Sequence, residues 1–138
     1  MIILTERLIL KQTQDDSRRY AIFERCSLCE IGHIAVYEDS EEFRADTKEL
    51  GYAIHAPFRG KGFMQEAIKA VLESLFNSGI KYVWACCVQT NIPSKNLIEK
   101  LGFDFVREGT FDKDGTGNEV PSFEYVMTDA KYSRLFVN

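Results

Sequence analysis

A chain of 138 residues with 45% hydrophobic and 28% charged residues has the composition of an ordinary globular protein, so we expect a single domain over residues 1–138. Its formal net charge of −4 argues against a nucleic-acid-binding surface, which needs a basic face. No apolar run approaches the roughly 20 residues of a membrane span, and the start of the chain lacks the basic-then-apolar order of a signal peptide. We therefore expect a cytoplasmic protein that does not bind membranes.

Four segments in the first half have the alternation and composition of β-strands. They are residues 5–12, 19–25, 31–37 and 50–56. Leu8 and Leu10 lie on one face of the first strand, and the short link between the second and third predicts a hairpin. Pro57 follows the fourth strand and is expected to keep Ala56 extended. The acidic segment 38–46 lacks strong periodicity, so a loop or a single helical turn is expected there.

Apolar residues at helical spacing predict a long helix over residues 61–77. They are Met64, Ala67, Ile68, Val71, Leu72 and Leu75. Residues 77–79 end this helix, and the nearly continuous apolar run 80–88 predicts a strand buried on both faces. Because a strand, a helix and a second strand form a right-handed crossover, strands 50–56 and 80–88 should run parallel.

The last third of the chain predicts one more helix and a closing hairpin. Asn91 can cap a helix that has Pro93 in its first turn and ends at Gly102. Two later segments have the pattern of a hairpin, residues 103–111 and 121–128. Residues 129–138 have no clear assignment.

The cysteines raise the question of a zinc site. They are Cys26, Cys29, Cys86 and Cys87. A four-thiolate site needs all its sulfur atoms to point at one spot. Because neighbours on a strand face opposite ways, Cys86 and Cys87 cannot both comply. We therefore expect buried or half-exposed free thiols and no metal.

The most informative stretch joins strand 50–56 to helix 61–77. It reads Arg59-Gly60-Lys61-Gly62-Phe63-Met64. Glycines at a strand-to-helix junction clear side chains away from the first N–H groups of the helix, which lack internal partners. The helix dipole and the charges of Arg59 and Lys61 add positive potential there. The stretch predicts a cradle for a pyrophosphate, and the simpler alternative is a glycine-rich turn at a helix start.

Two common phosphate-binding loops do not fit this stretch. A Walker loop requires Gly-Lys-Ser or Gly-Lys-Thr, whereas Gly62 is followed by Phe63. A dinucleotide fingerprint requires a third small residue where Gln65 stands. The stretch instead resembles the acyl-coenzyme A loop of the GNAT N-acetyltransferase superfamily. That pattern is Arg or Gln, two residues, Gly, one residue, and then Gly or Ala, with Met64 at the last position here.

Further blocks in family order resemble the RimJ/RimL-like branch of that superfamily, named for ribosomal-protein N-terminal acetyltransferases. They are Thr5-Glu6-Arg7-Leu8, Leu50-Gly51-Tyr52, residues 60–67, Asn91-Ile92-Pro93-Ser94 and residues 99–103. Methionine also occurs in that branch at the position of Met64. The resemblance implies a GNAT-like α/β (α+β) fold, with a mixed, mostly antiparallel central sheet, a splayed parallel strand pair and flanking helices.

One departure from the family is large. Two helices normally separate the first and second strands and form one wall of the acceptor site, but here the link is short. We therefore expect a trimmed member whose acceptor wall is reduced and is completed by a partner subunit. This departure and the apolar, aromatic ending 123–136 lead us to expect a homodimer.

The resemblance implies acetyl-CoA as the donor and a primary amine as the acceptor, either a protein N-terminus or a small amine. The amine would attack directly in a ternary complex. Backbone N–H groups of residues 59–64 would hold the pyrophosphate, and the main chain at Ile54 would bind the pantetheine arm. Asn91 would donate to a pantetheine amide besides capping its helix. Ser94 would bind near the departing sulfur and protonate it, since the tyrosine that many members use is replaced by Ile98.

An amine with a pKa of about 10 must lose a proton before it attacks, so a carboxylate or a water chain leading to one is expected. Glu49 is the first candidate for this base, and the alternative is an exposed charge at a strand end. Glu124, His33 and His55 are the other candidates, with His33 expected to be structural and His55 at the rim. The competing class of function is a non-catalytic acyl-CoA-binding module, because the acceptor side is shortened.

Overall fold

The computed structural model describes residues 1–15, 18–39, 42–112 and 115–137. The chain divides into two compact units, Met1–Ile80 and Lys81–Asn138. The single domain expected over residues 1–138 stays a prediction. Among the described helices, none is both long enough and apolar enough to cross a membrane.

The described part of the first unit contains an antiparallel sheet and one long helix. The strands are β1 Ile2–Leu4, β2 Leu8–Gln12, β3 Arg19–Glu24, β4 Glu30–Glu38 and β5 Thr47–Ile54, and the helix is α1 Phe63–Asn77. Each strand pairs with the next one along the chain, so the order is β1-β2-β3-β4-β5. Helix α1 packs against β2.

Alternation on the strands and the helical period on α1 bring apolar side chains into one core. Leu8 and Leu10 of β2 and Ile22 of β3 are fully buried, as the alternation predicts. The predicted apolar face of α1 is buried as well, apart from the half-buried Leu75. Each such aliphatic side chain contributes about 1.5–3 kcal/mol when it leaves water, so this core anchors the start of α1.

Several details of the first unit differ from the sequence prediction, among them the bounds of β5, which spans Thr47–Ile54 instead of residues 50–56. The first predicted strand begins at Leu8 rather than at residue 5, and β1 precedes it. The prediction that Ala56 stays extended is wrong, because Ala56 begins a short 3₁₀ turn, Ala56–Phe58, after the extended residue His55. Proline is tolerated in the first turn because its missing N–H would have no partner there. Helix α1 begins at Phe63, since the left-handed Gly62 precedes it.

The link between β2 and β3 is short, as the sequence predicts. The two strands pair directly, with Leu10 opposite Ile22. Residues 13–18 join them, and residues 16–17 of this link lie outside the described part of the chain. A link of this length is too short for the two helices that the family normally has between these strands.

The second unit contains a three-stranded antiparallel arrangement and two helices over its described residues. These elements are β6 Tyr82–Val88, α2 Ile92–Leu101, β7 Asp104–Asp112, β8 Glu119–Thr128 and α3 Asp129–Phe136. The strand order is β6-β8-β7, and β7 and β8 form the predicted hairpin, whose residues 113–114 lie outside the description. On β6, Val83, Ala85 and Cys87 are buried while the other face is half-buried. Full burial was therefore predicted correctly for only one face of β6.

Helix α3 was not predicted from the sequence. The Oγ1 atom of Thr128 accepts a hydrogen bond from the Lys131 backbone N–H at 3.1 Å and so caps the helix start. Tyr132 is buried and secures one face of this short helix. Helix α3 therefore has both an N-terminal cap and a buried anchor.

All four cysteines are free thiols. Cys87 is buried and Cys86 is half-buried, in agreement with their positions on opposite faces of β6. Cys26 and Cys29 are exposed, so the expected burial is wrong for this pair. They lie in the turn between β3 and β4, where little chain is available to cover them.

Candidate active site

The glycine-rich loop leads from the end of β5 into α1. After the 3₁₀ turn Ala56–Phe58 the chain continues to Gly62, which is the N-cap of the helix. Gly60 and Gly62 have φ angles of 76° and 80°. Residues with side chains rarely adopt this left-handed conformation, so both positions require glycine for the shape of the backbone.

At the start of α1, the groups available to a ligand are backbone N–H groups. No side chain caps Gly62, and the first helical hydrogen bond runs from the Glu66 N–H to the Gly62 carbonyl oxygen at 3.1 Å. Phe63 and Met64 are only 5% and 6% exposed, so their side chains lie in the core. A Cβ atom added at Gly60 would meet no atom within 4 Å, so the space beside the loop is open. Open space, helix N–H groups and the helix dipole together suit an anion.

The basic side chains of the loop are held in different ways. The Nε atom of Arg59 donates to the Ile54 carbonyl oxygen at 3.1 Å. The main chain that was expected to bind the pantetheine arm therefore already has an internal partner. The Nζ atom of Lys61 lies 5.9 Å from the centre of the Phe58 ring. Both residues are exposed, which leaves their charges beside the open loop.

The end of β5 is fixed by β4, so the loop starts from a defined point. Ile54 pairs with Gly32, and a Cβ atom at Gly32 would overlap with the carbonyl oxygen of Ala53. The N–H of His55 donates to the Ile31 carbonyl oxygen at 2.7 Å. Glycine at position 32 thus permits the close approach of the two backbones that sets where the loop begins.

A cluster that sequence reasoning did not identify ties the loop to the beginning of the chain. The Nε atom of Arg7 donates to Glu66 Oε1 at 2.8 Å, and the Arg7 backbone N–H donates to Glu66 Oε2 at 2.9 Å. The Thr5 hydroxyl donates to the same Oε2 atom. Arg7 Nη1 also donates to the Lys61 carbonyl oxygen at 3.0 Å, and the Arg7 Cζ atom lies 4.4 Å from the centre of the Phe63 ring.

The charge of Glu66 is stabilised by this cluster. Burial opposes its ionisation, but the hydrogen bonds from Thr5 and Arg7 outweigh this effect and lower the pKa of the Glu66 carboxyl. The carboxylate is therefore ionised at neutral pH. It also lies in the first turn of α1, where the helix dipole favours a negative charge.

The candidate bases of the first unit lie in different surroundings. Glu49 is half-buried on β5, opposite Tyr37 of β4, and its side chain points to the face opposite that of the buried Leu50. Burial lowers the pKa of His33, and the nearby Arg19 charge lowers it further. His55 is exposed beside the 3₁₀ turn, as expected for a rim residue.

The second unit contains Asn91 and Ser94 at the start of α2. The Asn91 Oδ1 atom accepts a hydrogen bond from the Ser94 backbone N–H at 3.3 Å, which confirms the predicted helix cap. Asn91 is exposed and Ser94 is half-buried. The roles predicted for them toward pantetheine and sulfur stay predictions. Ile98 is buried at 1% exposure, so its position packs into the core.

Glu124, the alternative base on β8, is held by an arginine. Arg107 Nε donates to Glu124 Oε2 at 3.3 Å and Arg107 Nη2 donates to Oε1 at 3.2 Å. The Arg107 Cζ atom also lies 5.3 Å from the centre of the Trp84 ring. A Cβ atom at Gly109 would overlap with the Glu124 carboxylate, so glycine leaves room for this pair. The paired geometry favours a structural role for Glu124.

The predicted site residues are therefore divided between the units. Glu49, Ile54 and the loop residues 59–64 lie in the first unit, and the structure brings the loop and the end of β5 together. Asn91, Ser94 and Glu124 lie in the second unit.

Residues 3–104 match the family described as the acetyltransferase (GNAT) domain. This match spans well over half of the chain, and the protein therefore belongs to the GNAT acetyltransferase family. It is 33% identical over 104 residues to the "Uncharacterized N-acetyltransferase YnaD" of Bacillus subtilis (strain 168). That alignment covers 75% of this chain and 58% of the relative, so the chain spans less than two thirds of the relative's length.

Solved structures with a similar fold include the following two. A putative ribosomal-protein-serine acetyltransferase from Vibrio cholerae matches with a TM-score of 0.77 and 17% identity, over 93% of this chain and 97% of that one. The microcin C7 self immunity acetyltransferase MccE, in complex with acetyl-CoA and AMP, matches with a TM-score of 0.66 and 19% identity, over 80% of this chain and 59% of that one. These likenesses confirm the predicted fold class, a GNAT-like mixed α/β fold.

Proposed function

We propose that the protein transfers the acetyl group of acetyl-CoA to a primary amine, either a protein N-terminus or a small amine. The observation that carries this proposal is the loop before α1, where Gly60 and Gly62 hold the backbone in a left-handed shape beside open space. In a GNAT family member this loop is the expected site of the coenzyme A pyrophosphate. The acetyl-CoA complex of MccE supports this choice of co-substrate.

Two observations favour one branch of the family. The name of the Vibrio cholerae neighbour and the sequence blocks favour a RimJ/RimL-like protein. An N-terminal amine of a protein is therefore one acceptor to test, beside polyamines, amino acids and antibiotic amines.

The pyrophosphate and the pantetheine arm of the coenzyme have proposed partners. Backbone N–H groups of Phe63 and Met64 would bind pyrophosphate oxygens, with Arg59 and Lys61 adding positive charge. The pantetheine arm would compete with the Arg59 side chain for the Ile54 carbonyl oxygen. Because Asn91 uses its Oδ1 atom as the helix cap, its amide nitrogen is the group that would donate to a pantetheine carbonyl.

The proposed reaction is a direct attack in a ternary complex. The lone pair of the neutral amine nitrogen attacks the thioester carbon, and a tetrahedral intermediate with a negatively charged oxygen forms. The nitrogen, which carries a positive charge after the attack, loses a proton, and the C–S bond breaks, which leaves the neutral amide and a CoA thiolate. Backbone N–H donors stabilise the developing oxyanion. Holding the amine and the thioester in a near-attack geometry contributes about 7–11 kcal/mol.

Two side chains are proposed to move the protons. Glu49 takes a proton from the amine, directly or through water, and Ser94 donates one to the thiolate sulfur. Arg107 bonds to both carboxylate oxygens of Glu124, which favours a structural role for Glu124. Glu49 lies on β5, the strand that leads to the loop, and coenzyme bound at the loop would bring its thioester toward that strand.

The competing proposal is a non-catalytic acyl-CoA-binding module, which the short link between β2 and β3 supports. A mass increase of candidate amines in the presence of protein and acetyl-CoA separates the two classes, since a binding module leaves every amine unchanged. The homodimer that would complete the acceptor wall stays a prediction. Exposed apolar side chains of the second unit, among them Phe105 and Phe111, support it, and a monomer at micromolar concentration in sedimentation would contradict it.

Ser94→Ala is expected to lower turnover near the bottom of the roughly 10²- to 10⁴-fold range of single acid–base groups. The effect is moderate because a CoA thiol is acidic enough to leave with little help. The backbone N–H of Ser94 still donates to Asn91 in the variant, so the helix cap and the affinity for CoA should persist. Steady-state kinetics and calorimetry measure the two quantities, with Ser133→Ala on the exposed face of α3 as the control. Unchanged turnover or a large loss of CoA affinity would refute the role.

A further inference from the structure

The block Thr5-Glu6-Arg7-Leu8 has no role in the proposed reaction, yet two of its side chains contact the start of α1. Thr5 and Arg7 together donate three hydrogen bonds to the carboxylate of Glu66. This cluster of Thr5, Arg7 and Glu66 is called the brace below. It joins the turn between β1 and β2 to the first turn of the helix that follows the loop.

The brace also contacts the loop itself at more than one point. Arg7 Nη1 donates to the Lys61 carbonyl oxygen at 3.0 Å, and the Arg7 Cζ atom lies 4.4 Å from the centre of the Phe63 ring. A Cβ atom placed on Gly62 would lie 3.4 Å from Arg7 Nη2. One guanidinium therefore contacts the residues before and after Gly62, whose left-handed conformation shapes the loop.

The brace places a negative charge near the proposed anion-binding site. Glu66 puts a negative charge in the first turn of α1, close to where an anionic ligand would bind, and by simple electrostatics this charge opposes the ligand. Its side chain is only 20% exposed and is paired with Arg7, which neutralises it. The Glu66 carboxylate therefore favours ligand binding only if the position of Arg7 that it stabilises adds more binding free energy than the negative charge of Glu66 removes.

We propose that Arg7 is a positioning residue, which Glu66 and Thr5 hold so that it fixes the pyrophosphate loop in its binding shape before coenzyme A arrives. The loop then loses little conformational freedom on binding, and the affinity for coenzyme A rises accordingly. This proposal rests on the proposed function, because it assumes that the loop binds the coenzyme. It goes beyond that function by assigning loop geometry to residues near the start of the chain.

The test is the affinity of the full-length protein for coenzyme A, measured by calorimetry well below the melting temperature. Arg7→Ala is expected to weaken binding about tenfold or more, since charge-assisted hydrogen bonds of this kind are lost. Arg44→Ala is the matched control, because Arg44 also makes a two-point pair with a carboxylate, that of Asp46, at 46% exposure against 41% for Arg7. The control variant should bind coenzyme A as the wild type does.

Glu66→Gln separates positioning from charge. The variant removes a negative charge near an anion, so electrostatics alone predicts tighter binding, whereas the proposal predicts weaker binding because an amide NH₂ would face a donor of Thr5 or Arg7. The double variant Arg7→Ala/Glu66→Gln should lose no more affinity than the larger single loss. Arg7→Lys keeps the charge, but a lysine cannot reach both Glu66 and the Lys61 carbonyl. The affinity of this variant for coenzyme A should therefore stay low.

The outcomes separate this proposal from the proposed function. If the wild type does not bind coenzyme A, the proposed function is refuted, and the proposed role of the brace is refuted with it. If the wild type binds, then equal affinity of Arg7→Ala and Arg44→Ala, full recovery in Arg7→Lys, or tighter binding by Glu66→Gln would each refute the brace alone. If Arg7→Ala fails to fold, Glu66→Gln decides the question, because it replaces one side-chain oxygen by an NH₂ group.

Discussion

Replacing Gly62 by valine is expected to abolish the rise in melting temperature that coenzyme A gives to the wild-type protein. Gly62 has a φ of 80°, which a β-branched residue tolerates badly, and a Cβ atom there would contact Arg7. The backbone therefore leaves its binding shape and a side chain fills the space for the phosphate. A ligand that binds only the folded state stabilises it by about 2.7 kcal/mol at a hundredfold excess over Kd, so the wild-type shift is large enough to measure.

Gly79→Val is the matched control for this prediction. Gly79 lies just beyond the other end of α1, has a φ of 103° and would place a Cβ atom in open space. It therefore carries similar backbone strain without touching the loop. Thermal unfolding should show a lower melting temperature for this control in the absence of ligand and a normal rise with coenzyme A. Equal rises for the wild type and Gly62→Val would refute the assignment of the loop.

Glu49→Gln is expected to lower kcat about 10²- to 10⁴-fold and to leave the affinity for coenzyme A unchanged. The amide keeps the shape of the side chain but cannot take a proton from the amine at neutral pH. Glu49 lies on β5 and outside the loop, so we expect the loop to keep its affinity for coenzyme A. Initial rates with a saturating acceptor, together with calorimetry for coenzyme A, measure both quantities.

Glu124→Gln tests the competing base in the same assay. This variant weakens the pair with Arg107, so we expect a modest loss of stability and a small change in kcat. A larger loss of kcat in Glu124→Gln than in Glu49→Gln would reverse the assignment. Unchanged turnover in Glu49→Gln would show that Glu49 is not the base.

Local signals were enough to predict much of the phosphate loop and its neighbours. Gly60 and Gly62 indicate their own left-handed backbone, and the apolar period after them indicates the helix that presents its N–H groups. Asn91 and Pro93 mark the start of α2 in the same way. These features depend on residues close together in the chain, which is why a single sequence reveals them.

The brace could not be predicted in this way. Arg7 and Glu66 are 59 residues apart, and neither periodicity nor turn chemistry connects positions at that distance. The same reason hides the pair between Arg107 and Glu124, which depends on the register of β7 against β8. The block around Arg7 did stand out by its resemblance to the family, but resemblance assigned no contact to it.

Short or irregular elements were the other source of error. Strand β1 contains only Ile2–Leu4, too few residues for alternation to be visible. At Pro57 the rule that the preceding residue stays extended was overridden by a 3₁₀ turn. Helix α3 follows the cap residue Thr128 and has the acidic Asp129 in its first turn, so the sequence does contain an N-terminal signal for this helix.

The most direct test of the central claim is to incubate the protein with acetyl-CoA and a panel of primary amines and to follow both products. The panel includes peptides with free N-termini, polyamines, amino acids and aminoglycosides. Mass spectrometry should show one acetyl group added to at least one amine, with an equal amount of free CoA thiol. Neither product should form above background with Gly62→Val. Wild-type protein that binds acetyl-CoA yet leaves every amine unmodified and the thioester intact would contradict the account and favour a binding module.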